Sequence, residues 1–331
     1  LMADMAYTSI DNFTLVAVPC FILAGLLMQK GGLAKRLTDL ANALVGHLVG
    51  GLGLVSITAC AFFAALTGSG PATTASIGSI MVPAMKEAGY KAGYAGAIVA
   101  CSGGLGVIIP PSIPLILYGV IAEVSITKLF IAGIIPGLLI TLLLGLTNYI
   151  YAKKTGLVGR SDTDEPSIGI WKCINNAKWA LLAPVIILGG IYAGIFTPTE
   201  ASVVAIFYSV LIGSFIYRSL SFTDIIDSIK QTAKLTGIAF LIIYTTMVFG
   251  EILTLHQVPQ GIAAGLLEIT QNKIIISVLM YAFILFMGMF MGVIPMIVLL
   301  VPILLPIVNA IGIDPIHFGI IFVVAAEIGF E

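Results

Sequence analysis

Charge is scarce in this sequence. Lys, Arg, Asp and Glu together form 9% of 331 residues, where a soluble domain carries about 25%. So little polar surface cannot cover a water-facing globule of this size, and a soluble globular enzyme is excluded. An excess of either sign is lacking too. The formal net charge is −1, which gives no basic field for nucleic acid. Cysteines are few, and Cys20, Cys60, Cys101 and Cys173 show neither disulfide nor metal spacing. Three of them sit in apolar runs as small hydrophobes. His47, His256 and His317 lie near expected interfaces, with no partners at ligand spacing. A signal peptide is missing. The sequence opens on Leu1 and stops at Glu331 within a helical pattern, so a piece of a longer membrane protein is expected.

What is present is apolar. Hydrophobic residues make up 59% of the chain and the mean hydropathy is +1.13. The 36 glycines also fit membrane helices. Lipid is the solvent that accepts such an exterior. Apolar runs predict spans at 13–29, 128–152, 179–195, 200–217 and 237–255. Residues 33–48 and 257–270 suit interfacial helices. Residues 51–66 and 72–88 form a helical pair broken at 68–71, and 91–125 breaks at 107–112. A second broken pair covers 273–289 and 296–311, around 288–295, and 316–331 begins a final span. Residues 153–178 read as a polar loop.

Lys and Arg orient these spans through the positive-inside bias. Lys153, Lys154, Arg160, Lys172 and Lys178 fall on one side, as do Arg218, Lys230 and Lys234. Lys30, Lys35, Arg36, Lys86 and Lys91 join them, leaving only Lys128 and Lys273 of the 15 positive residues opposite. The pair at 51–88 then opens from the cytoplasm and the pair at 273–311 from the far side. These regions also match at a constant offset, Pro83 with Pro306, Gly89 with Gly312, Gly96 with Gly319 and Gly106 with Gly329. The order of elements repeats as well. Inverted repetition marks secondary transporters. The alternative is coincidence in a Gly-rich chain.

The breaks carry the chemistry. At Thr67-Gly68-Ser69-Gly70-Pro71-Ala72-Thr73-Thr74 a helix must stop, because proline lacks an N–H and glycine permits unusual dihedrals. In lipid the freed backbone groups are tolerated only inside protein or beside a watery cavity. Their carbonyls then suit a cation, and the next helix N-terminus suits an anion. The alternative is an ordinary turn with Ser and Thr caps. At 102–112 three glycines and Pro110-Pro111 predict unwound backbone again, against a simple proline kink. Pro111 and Ser112 suit the start of the next half-helix. Neither element holds a carboxylate, so neutral oxygens point to Na⁺ rather than Ca²⁺ or Mg²⁺.

The second-half counterpart is 288–295, facing 325–331, with the equivalent of Pro110-Pro111 expected beyond Glu331. The candidate cation ligands are Ser69, Thr73, Gly103, Gly106, Val107, Pro110, Gly288, Gly292 and Gly329, for two or more Na⁺. The candidate anion-binding residues are Ser69, Gly70, Pro71, Thr73, Pro111, Ser112, Gly292 and Pro295. Glu251 and Glu327 lie within spans and are functional candidates, or else protonated or bonded to backbone. Thr197-Pro198-Thr199-Glu200 reads as a capping box at a helix start.

These stretches carry a resemblance. Residues 19–25 (PCFILAG), 68–74 (GSGPATT), 106–112 (GVIIPPS), 132–137 (AGIIPG), 197–201 (TPTEA) and 312–319 (GIDPIHFG) occur in one order along the chain. The whole sequence resembles the large membrane (M) subunit of tripartite ATP-independent periplasmic (TRAP) transporters, in the ion transporter superfamily. The family's common Ser-Ser doublet stands here as Ser69-Gly70. The resemblance implies an all-α polytopic protein with an inverted repeat, two re-entrant hairpins and an elevator-type scaffold plus transport domain. It implies Na⁺-driven uptake of an organic anion, such as a dicarboxylate or sialic acid, across the bacterial inner membrane. Its partners would be a periplasmic substrate-binding protein and a small membrane (Q) subunit, separate or fused.

The expected division is scaffold and arm helix at 1–50, transport domain at 51–125, scaffold and cytoplasmic loop at 126–236, scaffold and second arm at 237–272, and transport domain at 273–331. The main alternative is an anion symporter or exchanger of related fold that needs no binding protein. A channel would need a continuous lined pore. An intramembrane hydrolase using Ser69 lacks a His or Lys base and a Gly-Asp pair.

Overall fold

The computed structural model describes residues 11–157, 170–258, 261, 265 and 272–331. All regular structure among these is helical. A short 3₁₀ turn, Phe13–Val16, is capped by the Asn12 side chain and leads into α1, Ala17–Lys30. The amphipathic α2, Leu33–Val45, follows, with Leu33, Leu37, Leu40 and Ala41 buried. Helices α3, Gly51–Thr67, and α4, Gly70–Glu87, form the first hairpin. The next segment comprises α5, Ala92–Gly103, the single turn α6, Leu105–Ile108, and α7, Ile113–Ile121. Its two parts differ in direction by 42°. Then come α8, Ile126–Thr155, α9, Ile170–Tyr192, and α10, Pro198–Leu211, which a π-helical turn extends over Ile212–Ile216. After α11, Phe222–Leu255, the second hairpin pairs α12, Lys273–Gly288, with α13, Val293–Ala310. Helix α14 spans Pro315–Phe330.

Six of these helices are long and apolar enough to cross a bilayer, or seven if the bent pair is one span. Their outward faces suit lipid. Helix α8 exposes Ile135, Leu138, Leu142 and Leu146. Its 30 residues reach about 45 Å, beyond the ~30 Å of a hydrocarbon layer. The interior is built from Phe21, Phe63, Tyr118, Phe130, Phe318 and Phe322, all fully enclosed. The Tyr118 ring lies against Gly319, and its hydroxyl donates to the Pro315 carbonyl at 2.6 Å, tying α7 to α14. The Gly119 and Gly133 backbones likewise admit neighbouring chain closely.

The structure corrects several sequence boundaries. Residues 170–178 are helical, so the polar loop is shorter than 153–178, and Lys172 and Lys178 ride on α9. Arg160 lies outside the described residues. Helix α11 begins at Phe222, ahead of the span expected at 237–255, and carries Lys230 and Lys234. Hydropathy marks where a helix leaves the apolar layer, whereas the helix itself continues into water. The helix expected at 33–48 is present as α2, while most of 257–270 lies outside the described residues. Helix α13 is itself long enough to cross.

Candidate functional site

The first hairpin tip is a cluster of oxygen atoms. Gly68 takes a left-handed φ of 62°, which ends α3 and turns the chain into Ser69. The Thr73 hydroxyl donates to the Ser69 carbonyl at 2.9 Å, and it lies 2.8 Å from the Thr67 hydroxyl. Both threonines are buried. Gly106 faces this cluster: a Cβ there would sit 2.6 Å from the Ser69 oxygen and 2.6 Å from Thr73 Oγ1. Only a glycine lets α6 lie so close. Gly103 is pressed by the Thr74 hydroxyl in the same way, and its carbonyl oxygen lies 3.6 Å from where a Gly70 Cβ would be.

The break before α7 holds the tip in place. The Gly68 carbonyl accepts from the Ile113 N–H at 3.0 Å. Ser112 caps α7 through the Leu115 N–H and donates its hydroxyl to the Val107 carbonyl. No hydrogen bond among the described residues reaches the carbonyls of 108–111. These oxygens are the unwound backbone expected from the sequence, over a shorter run. Gly103, Gly106 and Val107 keep helical backbone, because closely packed neighbours hold the glycines where propensity alone would release them.

The helix starts differ in which backbone amides are already engaged, beginning with the one after Pro111 and Ser112. A helix start offers an anion its unsatisfied first-turn amides. At α7 these are used: Ile113 donates to Gly68, Pro114 has none, and Leu115 is capped by Ser112. At α4 no acceptor among the described residues takes up the amides of Gly70 or Ala72, and Ser69 makes no side-chain cap. Pro71 takes an early position there and lacks an N–H. At α13 the amides of Val293 and Ile294 are uncapped likewise, with Gly292 as N-cap and Pro295 following within the first turn.

The second tip has a different character. Met289 and Phe290 are 70% and 72% exposed. Gly288 and Gly329 belong to continuous helices, and a Cβ at Gly288 would lie 2.9 Å from the Gly329 Cα. Helix α14 runs to Phe330, so the segment facing the second tip is helical. Gly329 supplies a close helix contact there. Phe330 lies beside Gly292.

Sequence reasoning treated the first site as free of carboxylates. The structure brings one there from the far half of the chain. Glu327 on α14 is buried, and its Oε1 lies 2.7 Å from where a Gly70 Cβ would be. Glu251 on α11 is exposed. Thr67 was legible only as part of the break motif. The capping box at Thr197 and Glu200 is present, with the Glu200 carboxylate accepting from the Thr197 N–H at 2.8 Å and from its hydroxyl at 2.9 Å. No group of three His, Cys, Asp or Glu forms a metal site among the described residues.

Comparison with known proteins now gives these features a context. Residues 1–330 match the family described as tripartite ATP-independent periplasmic transporter, DctM component. The chain is 47% identical over 329 residues to the isethionate TRAP transporter permease protein DctMQ of Oleidesulfovibrio alaskensis, covering 99% of this chain and 52% of that protein. It is 41% identical over 331 residues to the C4-dicarboxylate TRAP transporter large permease protein DctM of Pseudomonas aeruginosa, covering 99% and 76%. It is 39% identical over 327 residues to the sialic acid TRAP transporter large permease protein SiaM of Vibrio cholerae, covering 99% and 76%. The chain thus spans about half the length of the first relative and three quarters of the other two. With its apolar helices and glycine-lined breaks, the chain belongs to the DctM family of tripartite ATP-independent periplasmic transporters.

Proposed function

We propose that this chain forms the transport path of a Na⁺-coupled permease that takes up an organic anion across the bacterial inner membrane. The supporting observation is the convergence at the first tip. The Ser69 carbonyl, the Thr73 hydroxyl and the neighbouring Gly103 carbonyl gather where α4, α5 and α6 meet. Neutral oxygens with a single carboxylate suit a monovalent cation, since Ca²⁺ usually recruits several carboxylates. Ser69, Thr73, Gly103 and the oxygens around Pro110 hold one ion on this reading. A second lies by Gly288, Gly292 and Gly329. The anion meets the open amides of α4 and α13, near Gly70 and Gly292.

Coupling follows from electrostatics. An anion entering a low-dielectric site without compensation bears a large desolvation penalty. Bound Na⁺ offsets that penalty, so each solute favours the other. The two hairpins, with the bent segment and α14, form the moving unit of an elevator, related by an inverted repeat. The remaining long helices form the scaffold. A periplasmic binding protein delivers the anion, and a small membrane subunit, separate or fused, extends the scaffold. The relatives' names include isethionate, C4-dicarboxylate and sialic acid, and each of these compounds is an organic anion.

Uptake into proteoliposomes tests this reading. Candidate anions are supplied with and without the cognate binding protein, under an inward Na⁺ gradient or choline in its place. Saturable uptake that needs both Na⁺ and the binding protein is expected. Uptake without the binding protein would favour a related symporter or exchanger. Uptake indifferent to Na⁺ would remove the coupling.

A further inference from the structure

Glu327 is the only charged side chain buried among the described residues, with 5% of its surface exposed. It sits on α14, yet its carboxyl belongs spatially to the first hairpin. A Cβ at Gly70 would lie 2.7 Å from its Oε1, and a Cβ at Gly104 would lie 3.0 Å from its Cγ. These two glycines leave the space that the Glu327 side chain fills. Among the described residues no donor hydrogen-bonds this carboxyl, and the ion pairs Lys30–Asp224 and Lys230–Asp227 lie elsewhere. The neighbouring charged group is a second carboxyl, Glu331, which also crowds Gly104. A carboxylate enclosed without a cation is costly, and like charge beside it adds to that cost. The Gly103 carbonyl oxygen lies 3.6 Å from the same Gly70 Cβ position, and the Ser69 carbonyl and Thr73 hydroxyl lie together beside Gly106.

We propose that Glu327 supplies the anionic ligand for the monovalent cation held at the first hairpin tip. This rests on the sodium reading above and goes further by naming the group that balances the ion's charge. It makes the ion a link between the two halves of the chain. Helices α4 and α5 contribute neutral oxygens, and α14 contributes the charge. Binding the ion therefore draws α14 onto the first hairpin. Phe330, one turn further along α14, touches Gly292 at the second tip. The ion thus acts on both tips through one helical turn.

The test measures the melting temperature of the intact permease in detergent as NaCl replaces choline chloride at constant ionic strength. The wild type is expected to gain stability with Na⁺. Glu327→Gln keeps the shape and removes the charge, and it should raise the Na⁺ concentration for half-maximal stabilisation by about tenfold or more. Gly70→Ala places a methyl group in the carboxyl's space and should weaken the Na⁺ response as well. The double variant Gly70→Ala with Glu327→Asp, shorter by one methylene, should recover part of it. A wild type without any Na⁺ response would overturn the sodium reading and the assignment together. A wild-type response kept unchanged in Glu327→Gln would overturn the assignment alone. If Glu327→Gln does not survive purification, an unchanged response in Gly70→Ala would overturn it.

Discussion

The two hairpins share a plan and differ in what lines their tips. In the first, Thr67, Ser69, Thr73 and Thr74 surround a tip whose Gly68 and Gly70 are buried against α6 and α7. In the second, Met289, Phe290, Met291 and Val293 surround Gly292; Met289 and Phe290 stand exposed, Met291 is half-buried and Val293 is buried. The first tip is hydroxyl-rich and enclosed, whereas the second has only backbone polarity to offer. The difference teaches that a break in a membrane helix becomes a polar site through its neighbours. Gly68 and Ser69 matter because α6 and α7 approach within hydrogen-bonding distance. Gly292 has an uncapped helix start, but among the described residues the side chain from another element beside it is the Phe330 ring, 3.9 Å from where a Gly292 Cβ would be.

Glycine substitution should break the comparison most sharply. Gly106→Ala drives a methyl group against the Ser69 carbonyl and the Thr73 hydroxyl, each 2.6 Å from the new atom. Both are anchored by the tip's own hydrogen bonds, so the strain has no flexible end to absorb it. A loss of about 1–3 kcal/mol is expected, with Na⁺-driven uptake falling to background. Gly292→Ala meets nothing nearer than 3.9 Å and has φ −68°, which any residue adopts. Its melting temperature should stay close to wild type. Equal damage from both substitutions would show that the tips are alike after all.

A smaller effect separates the hydroxyls of the first tip from one another. Thr73→Val keeps the volume and removes a buried donor from the Ser69 carbonyl. An unpaired buried oxygen and a lost ligand together should weaken apparent Na⁺ affinity by about tenfold. Ser69→Ala should weaken it less, because the oxygen that Thr73 engages is the backbone carbonyl of Ser69 and survives the change. Sodium titration of uptake in vesicles checks the order. A larger effect at Ser69 would move the ion toward its side chain.

Much of this site was legible because proline and glycine announce where helices stop. The breaks at 68–71 and 288–295 were visible on that ground alone. The interior of 102–112 was overread: Gly103 and Gly106 suggested unwinding, but they are glycines because Thr74, Thr73 and the Ser69 carbonyl press on them. The sequence also could not say which exposed backbone groups stay open. Ser112 and Gly68 use up the α7 amides through contacts that no local pattern encodes. Glu327 was visible as an acid in an apolar helix. Its position at Gly70 depends on how two distant segments pack, which spacing along one chain does not fix.

The smallest expected effect lies outside both hairpins and sets their baseline. Thr197→Ala removes one hydroxyl from the capping box of α10, which the Glu200 carboxylate and the Thr197 hydroxyl close reciprocally. The melting temperature should fall by a few degrees near neutral pH, while the Na⁺ response stays unchanged, because neither residue approaches the oxygen cluster. Thermal melts with and without Na⁺ check both. A Na⁺ response that moved with Thr197 would mean that hydroxyl loss anywhere in this membrane protein perturbs the ion. The contrast between the two tips would then lose its meaning.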